Sequence, residues 1–198
     1  NSDPRNMEIS MQTTVKWCDW RGNGLDYCSF LTNSESSVLD GVVTGSREGS
    51  YGAHYFVLTD ACFLTREVRV EYVGGPRMHI CTDGEGRWHD VIRNEPIPSL
   101  TGCLDVDIGV TPATNTLPIK RLKLAEQASQ EIVVAYVPLP TQITGAFLPR
   151  IAQQRYTCLT LNQRYRYEGI FRKFTADLDL DRHGLVLDYP ETFRRVHF

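Results

Sequence analysis

Apolar residues fall at every second position along most of this 198-residue chain, and turn residues break the pattern at short intervals. A period of two puts alternate side chains on one face of a strand, so the pattern predicts a mainly β protein. "TTVKWCDW" (Thr13 to Trp20) and "GLDYCSFLT" (Gly24 to Thr32) read as two strands around the turn "RGNG". Strands at Val38 to Thr44 and Ala53 to Thr59 flank a Gly/Ser-rich loop. In "TREVRVEYVGG", Val68, Val70 and Tyr72 take one face while Arg69 and Glu71 take the other, as in a half-buried strand. "RMHICTDGEGRWHDVIRN" predicts a hairpin around "DGEG". "TGCLDVDIGV" and the unbroken apolar "EIVVAYVPLP" are further strands. "RYTCLTLNQRYRYEGIFRKFTADLDLD" holds two or three more, and "RHG" turns the chain into a last hairpin through "LVLDYP". No repeat of fixed period and no linker divides the chain. Residues 11–198 therefore read as one domain, and residues 1–10 as a disordered or cloning-derived start.

One stretch competes for helix, at about Thr114 to Ala128, "TNTLPIKRLKLAEQA". Thr114 or Thr116 can cap its start, and Pro118 is tolerated only in a first turn. A lone helix in a β chain must bury its apolar face, and the concave side of a curled sheet is where it can do so.

Composition narrows the partners. The net charge of -3 lacks the basic footprint of a nucleic-acid binder, so no nucleic acid is expected. No apolar run approaches the ~20 residues of a spanning helix, so no transmembrane segment is expected. "NSDPRNMEIS" has no signal-peptide pattern. Cys18, Cys28, Cys62, Cys81, Cys103 and Cys158 form no C-x-x-C pair. They read as reduced thiols of a cytoplasmic protein, with disulfides as the lesser reading. His79 and Cys81 share a strand face with His89 across the hairpin, but this falls short of a zinc ligand set, so no metal or other cofactor is expected. No nucleophile elbow, P-loop or H-E-x-x-H is present.

Several residues invite a chemical reading beside a structural one. Asp105 and Asp107 are two apart on a strand, with Cα atoms ~6.5–7 Å apart. Paired glycosidase carboxylates lie roughly 5–9.5 Å apart, so a hydrolase or isomerase acting on a glycosylated or acyl substrate is permitted. Structurally, the same carboxylates can accept backbone hydrogen bonds or pair with Lys120 or Arg121. If sheet encloses the helix, Arg121 needs a carboxylate partner, Asp105 or Asp107. Thr111, Thr114, Asn115 and Thr116 surround Pro112 and form a turn and cap, or the wall of a sugar pocket. Trp17, Trp20, Tyr55, Phe56, Trp88, Tyr136, Tyr156, Tyr165 and Tyr167 fall on strands. They either fill the core or line a cleft for an amphiphile. "QRYRYEG" reads as a solvated strand face. Open sheet edges allow a homodimer or an assembly role.

"GCLDVDIGVTPATNTLPIKRL" (Gly102 to Leu122) carries a family resemblance, together with "VKW", "LTDACFLTREVRV" and its Thr65–Arg66 pair, "DGEGRW", "QRYTCL" and "DRHGLVLDYPETFRRV". These segments match in kind and order, over nearly the whole chain. The sequence resembles a glycolipid-binding family first catalogued as a bacterial domain of unknown function. Phe63 stands where that family more often has Trp. The resemblance implies a spiral β-roll, a long curled and largely antiparallel sheet wrapped around a single α-helix. It implies a lipid or glycolipid-like ligand and brings no established reaction. Taken with the residues above, the expected ligand site is Trp17, Tyr55, Arg66, Trp88, Asp105, Asp107, Asn115, Arg121 and Tyr156.

Overall fold

The structure is a computed structural model and describes residues 10–197. The expectation for the first ten residues thus lies, save for Ser10, outside the described residues. The alternating N-terminal half folds as an antiparallel meander. Its strands are β1 (Met11–Asp19), β2 (Leu25–Thr32), β3 (Ser36–Gly45), β4 (Tyr51–Asp60), β5 (Thr65–Tyr72), β6 (Arg77–Thr82), β7 (Trp88–Asp90) and β8 (Glu95–Pro96). The C-terminal half supplies β9 (Asp105–Ile108), helix α1 (Thr116–Leu122), β10 (Ser129–Val137), β11 (Arg150–Thr160), β12 (Arg164–Gly169), β13 (Phe174–Asp179) and β14 (Phe193–Val196). β14 returns to pair with β1, giving a nine-stranded sheet in the order β14-β1-β2-β3-β4-β5-β6-β7-β8. The second sheet has five strands in the order β13-β12-β11-β10-β9. The two together form the large curled, mainly antiparallel β architecture.

Turns are held by short acidic side chains. Asp19 Oδ1 accepts from the Asn23 N–H between β1 and β2. Asp83 Oδ1 accepts from the N–H groups of Glu85 and Arg87 in the "DGEG" turn. Among the described residues, the exception to antiparallel pairing is β9 with β10. A parallel pair needs a crossover rather than a hairpin, and α1 lies in that crossover. Leu117 packs into the large core beside Trp17, Tyr55 and Val110, and Ile119 into a smaller core beside Tyr156, Tyr165 and Leu178. The helix thus contributes a side chain to each of the two cores.

Two boundaries differ from the sequence reading. The helix ends at Leu122 rather than near Ala128, because Lys123 takes the left-handed conformation (φ 48°, ψ 44°) that terminates it. Neither threonine caps the helix. Thr114 Oγ1 accepts from the Ile108 N–H, and Thr116 Oγ1 donates to the Gly184 carbonyl. Both are buried, so tertiary partners satisfy their hydroxyls. "LVLDYP" forms only isolated bridges, Leu180 to Val186 and Tyr189 to Phe193, instead of a hairpin strand. The Val186 carbonyl is taken by Trp17 Nε1 and by Arg195, which leaves it no ladder partner there. Among the described residues, no helix is long and apolar enough to cross a membrane.

Gly41 on β3 lies opposite Tyr55 on β4. A Cβ at Gly41 would sit 2.3 Å from the Tyr55 ring, which is fully buried and cannot move aside. Gly41→Ala is expected to cost about 1–3 kcal/mol through overpacking, as read by urea unfolding. An unchanged midpoint would mean that the ring repacks freely.

Candidate functional site

A cavity of about 700 Å³ is walled mainly by the five-stranded sheet and completed by Arg47 and the segment before β14. Period-two alternation in β12 sends Tyr165 and Tyr167 inward, and Tyr167 reaches the cavity. The same alternation sends Arg164 and Arg166 outward, where they pair with Asp179 and Asp177 across the strands. That is the solvated face expected of "QRYRYEG". Tyr167, Phe174, Tyr189 and Phe193 form a continuous aromatic wall. Phe174 and Tyr189 are stacked at 6.0 Å, Tyr167 to Tyr189 is 6.0 Å, and Tyr189 to Phe193 is 6.4 Å. At the mouth, Phe171 is 90% exposed and Ile151 51% exposed.

The floor is polar. Asp107 is half-buried, and Gln154 Nε2 donates to its Oδ2 at 2.7 Å. Burial pushes the Asp107 carboxyl above the usual carboxylate range, against the opposing pull of Gln154, Arg172 and Arg47. Asn115 Nδ2 donates to the Tyr156 hydroxyl at 2.9 Å. Thr111 Oγ1 donates to the Tyr55 hydroxyl at 3.2 Å, and Tyr55 in turn donates to Asp26 Oδ1 at 2.8 Å. Arg47 enters beside this floor, donating from Nη1 to the Gly109 carbonyl at 2.7 Å. Its guanidinium carbon lies 5.3 Å from the Phe193 ring centroid. Arg150 and Arg172 both lie over the Tyr136 ring, at 5.3 and 4.9 Å.

The expected site residues are dispersed. Asp107 and Asn115 line this cavity. Asp105 and Arg121 line a second cavity of about 320 Å³. The two aspartates therefore do not face one cleft. Asp105 is fully buried and takes two hydrogen bonds from Arg121, 2.9 Å to Oδ1 and 2.7 Å to Oδ2. Trp17, Tyr55, Trp88 and Tyr156 line neither cavity, being buried in the two cores. Trp17 and Trp88 spend their indole N–H groups on the carbonyls of Val186 and Cys103. Arg66 lies 3.8 Å from Asp60, away from both cavities. His79 Nε2 is 2.9 Å from Glu67, and His89 Nε2 is 3.0 Å from Asn94. Among the described residues, no three His, Cys, Asp or Glu side chains are grouped to hold a metal ion.

Sequence reasoning missed Arg47, Arg150, Arg172, Gln154 and Tyr189. Gln154 carried a usable signal: it falls in phase with Tyr156 and Cys158 on the buried face of β11. An amide at a buried position needs a partner, and here that partner is Asp107.

A family model described as "Putative glycolipid-binding" matches residues 14–195. No curated protein matches the chain. A crystal structure of a DUF1089 family protein from Pseudomonas aeruginosa matches with a TM-score of 0.72 and 34% sequence identity. The match covers 86% of this chain and 92% of that one.

Two expectations follow from the buried charges. Arg121→Ala strands the Asp105 carboxylate in the interior and is expected to cost about 3–5 kcal/mol in chemical denaturation. Replacing both partners by apolar residues should cost less, and an Arg121→Ala loss below about 1 kcal/mol would show that the pair is dispensable. The second concerns Asp26. Burial pushes its carboxyl from 3.8 to about 7, outweighing the hydrogen bonds from Thr111 and Tyr55. An acid with a raised folded-state pKa binds more protons folded than unfolded, so its contribution to stability falls as pH rises from about 4 to about 7. Relative to Asp26→Asn, the wild-type protein should lose on the order of 4 kcal/mol between pH 4 and pH 8. Parallel stability profiles for the two proteins would contradict this.

Proposed function

Since the chain belongs to the glycolipid-binding family that this model describes, we propose that it binds a glycolipid or similar lipid-like amphiphile in the aromatic-walled cavity. The observation that carries this reading is the cavity's division into an apolar wall and a polar floor. Its volume of about 700 Å³ falls in the ~300–1,000 Å³ range of small-molecule sites. Such sites combine apolar lining with a few convergent polar groups. Tyr167, Phe174, Tyr189 and Phe193 offer ring faces to a sugar or an acyl chain. Gln154 occupies Asp107 Oδ2 and leaves Oδ1 to accept from a ligand hydroxyl. Asn115 spends Nδ2 on Tyr156 and leaves its carbonyl oxygen for the same purpose. Phe171 and Ile151 give the mouth an apolar lip across which a hydrophobic chain can enter.

The reading assigns no reaction. Asp105 is committed to Arg121, so Asp107 has no second free carboxylate beside it with which to share general acid and base roles. The proposed setting remains the cytoplasm, in keeping with six unpaired cysteines.

The test is native mass spectrometry of protein purified gently from its own host, followed by solvent extraction and lipid analysis. A stoichiometric amphiphile is the expected result. A delipidated sample that binds neither a fatty-acyl probe nor a glycosylated lipid at micromolar concentration would overturn the reading.

A further inference from the structure

We propose that the amphiphile taken by this cavity bears an anionic group, a phosphate, sulfate or carboxylate, received by Arg47, Arg150 and Arg172. The inference rests on the preceding reading of the cavity as a ligand site and adds the charge of the ligand.

The first argument is the state of the three arginines. The chain has more acidic than basic residues, 24 against 21. Nine arginines elsewhere find carboxylates, Arg93 with Asp90, Arg121 with Asp105, Arg155 with Glu131 and Arg195 with Asp181 among them, while Arg21, Arg77, Arg182 and Arg194 form no such pair among the described residues. Among the described residues, no carboxylate lies within 4.0 Å of the guanidinium nitrogens of Arg47, Arg150 or Arg172. They come from three separate segments, the β3–β4 loop, the start of β11 and the β12–β13 turn, yet line one cavity. Among the described residues, Asp107 is the one carboxylate in the lining. The local balance is thus positive inside a net acidic chain, which focuses anions on the cavity.

The second argument is orientation. Arg150 and Arg172 share the Tyr136 ring, and Arg47 lies against Phe193 while anchored to the Gly109 carbonyl. Each guanidinium lies against an aromatic ring; Arg47 spends Nη1 on Gly109 and Arg172 is hydrogen-bonded to Tyr136, and the N–H groups left over can donate to a planar or tetrahedral anion. Bracing lowers the rotamer entropy lost when the anion docks. The aromatic wall in the same cavity distinguishes this from a site for a free anion, which has no use for ring faces.

The test compares lauroyl-lysophosphatidic acid with monolauroylglycerol, which differ only in the phosphate, and with inorganic phosphate, by calorimetry below the micelle threshold. The phospholipid is expected to bind at least about tenfold more tightly than either, with an affinity that falls as salt is added. In an Arg150→Gln/Arg172→Gln double variant that preference should shrink to within about twofold while monolauroylglycerol binding persists. Arg150 and Arg172 are exposed and form no ion pair among the described residues, so the variant's melting temperature should match that of the wild type. Equal binding of the two lipids would overturn the anion and leave the amphiphile reading standing. Inorganic phosphate binding as tightly as the phospholipid would assign the arginines to a free anion and overturn the attached chain. Binding of none of the three would overturn the anionic ligand, and the amphiphile reading would then stand or fall by the glycosylated-lipid test above.

Discussion

Asp105 opens β9 with no surface exposed to solvent, and Arg121 reaches it from the last turn of α1 through two short hydrogen bonds. Much of the C-terminal half depends on that pair. A helix of seven residues has no stability of its own in water, so α1 exists because its surroundings hold it. Leu117 and Ile119 supply the apolar part of that hold, one in each core. The ion pair fixes how far the helix can slide or rotate against β9, which apolar contacts alone do not. β9 in turn carries Asp107, and the loop after it carries Gly109, Thr111 and Asn115, the floor of the cavity. The joint that looked like a catalytic carboxylate pair is thus half structural: Asp105 sets the strand, and Asp107 uses the position so fixed.

The balance of forces around the cavity follows from this. A wall of stacked aromatics would close on itself to bury its rings if nothing kept it open. The floor resists closure because its polar groups would lose solvent or a ligand on one side. Asp107 has one hydrogen-bond partner and burial that disfavours its charge, so complete burial would cost more than a further ring contact returns. The three arginines resist closure in the same way, since among the described residues none has a carboxylate within 4.0 Å to carry inward with it.

Local patterning was read correctly wherever one face of a strand meets the core. "QRYRYEG" puts two tyrosines in and two arginines out, as a period of two requires. The signals failed where a tertiary partner outbid a local preference. "LAEQA" contains good helix formers, yet the helix stops before it, at a non-glycine residue in left-handed conformation that no sequence motif announces. Thr114 and Thr116 look like caps, but buried hydroxyls serve Ile108 and Gly184. The site was legible in part for the same reason. Asp107 and Asn115 lie within one short segment whose turn chemistry marks it. Arg47, Arg150 and Arg172 are more than a hundred residues apart at the extremes and meet only because the sheets curl.

The aromatic residues expected to touch a ligand show how such a reading can be close and still displaced. Tyr156 and Tyr55 lie one layer behind the cavity surface. Tyr156 holds Asn115 by its amide, and Tyr55 holds Thr111 by its hydroxyl. A strand's period tells which tyrosines point to the same side, but not whether that side is hollow or filled. The curl of the sheet and the position of α1 decide that. Arg47 is fixed in the same manner by the Gly109 carbonyl, and Asp107 by Gln154. Asn115, Arg47 and Asp107 each have one polar group tied inward to the scaffold and polar atoms remaining beyond that tie, while Thr111 spends its single hydroxyl on Tyr55 and on the Ala113 N–H. A floor assembled this way is oriented before any ligand arrives, so binding costs little reordering. The same hydrogen bonds stabilise the fold in the ligand's absence, which is why structure and site cannot be separated residue by residue in this part of the chain.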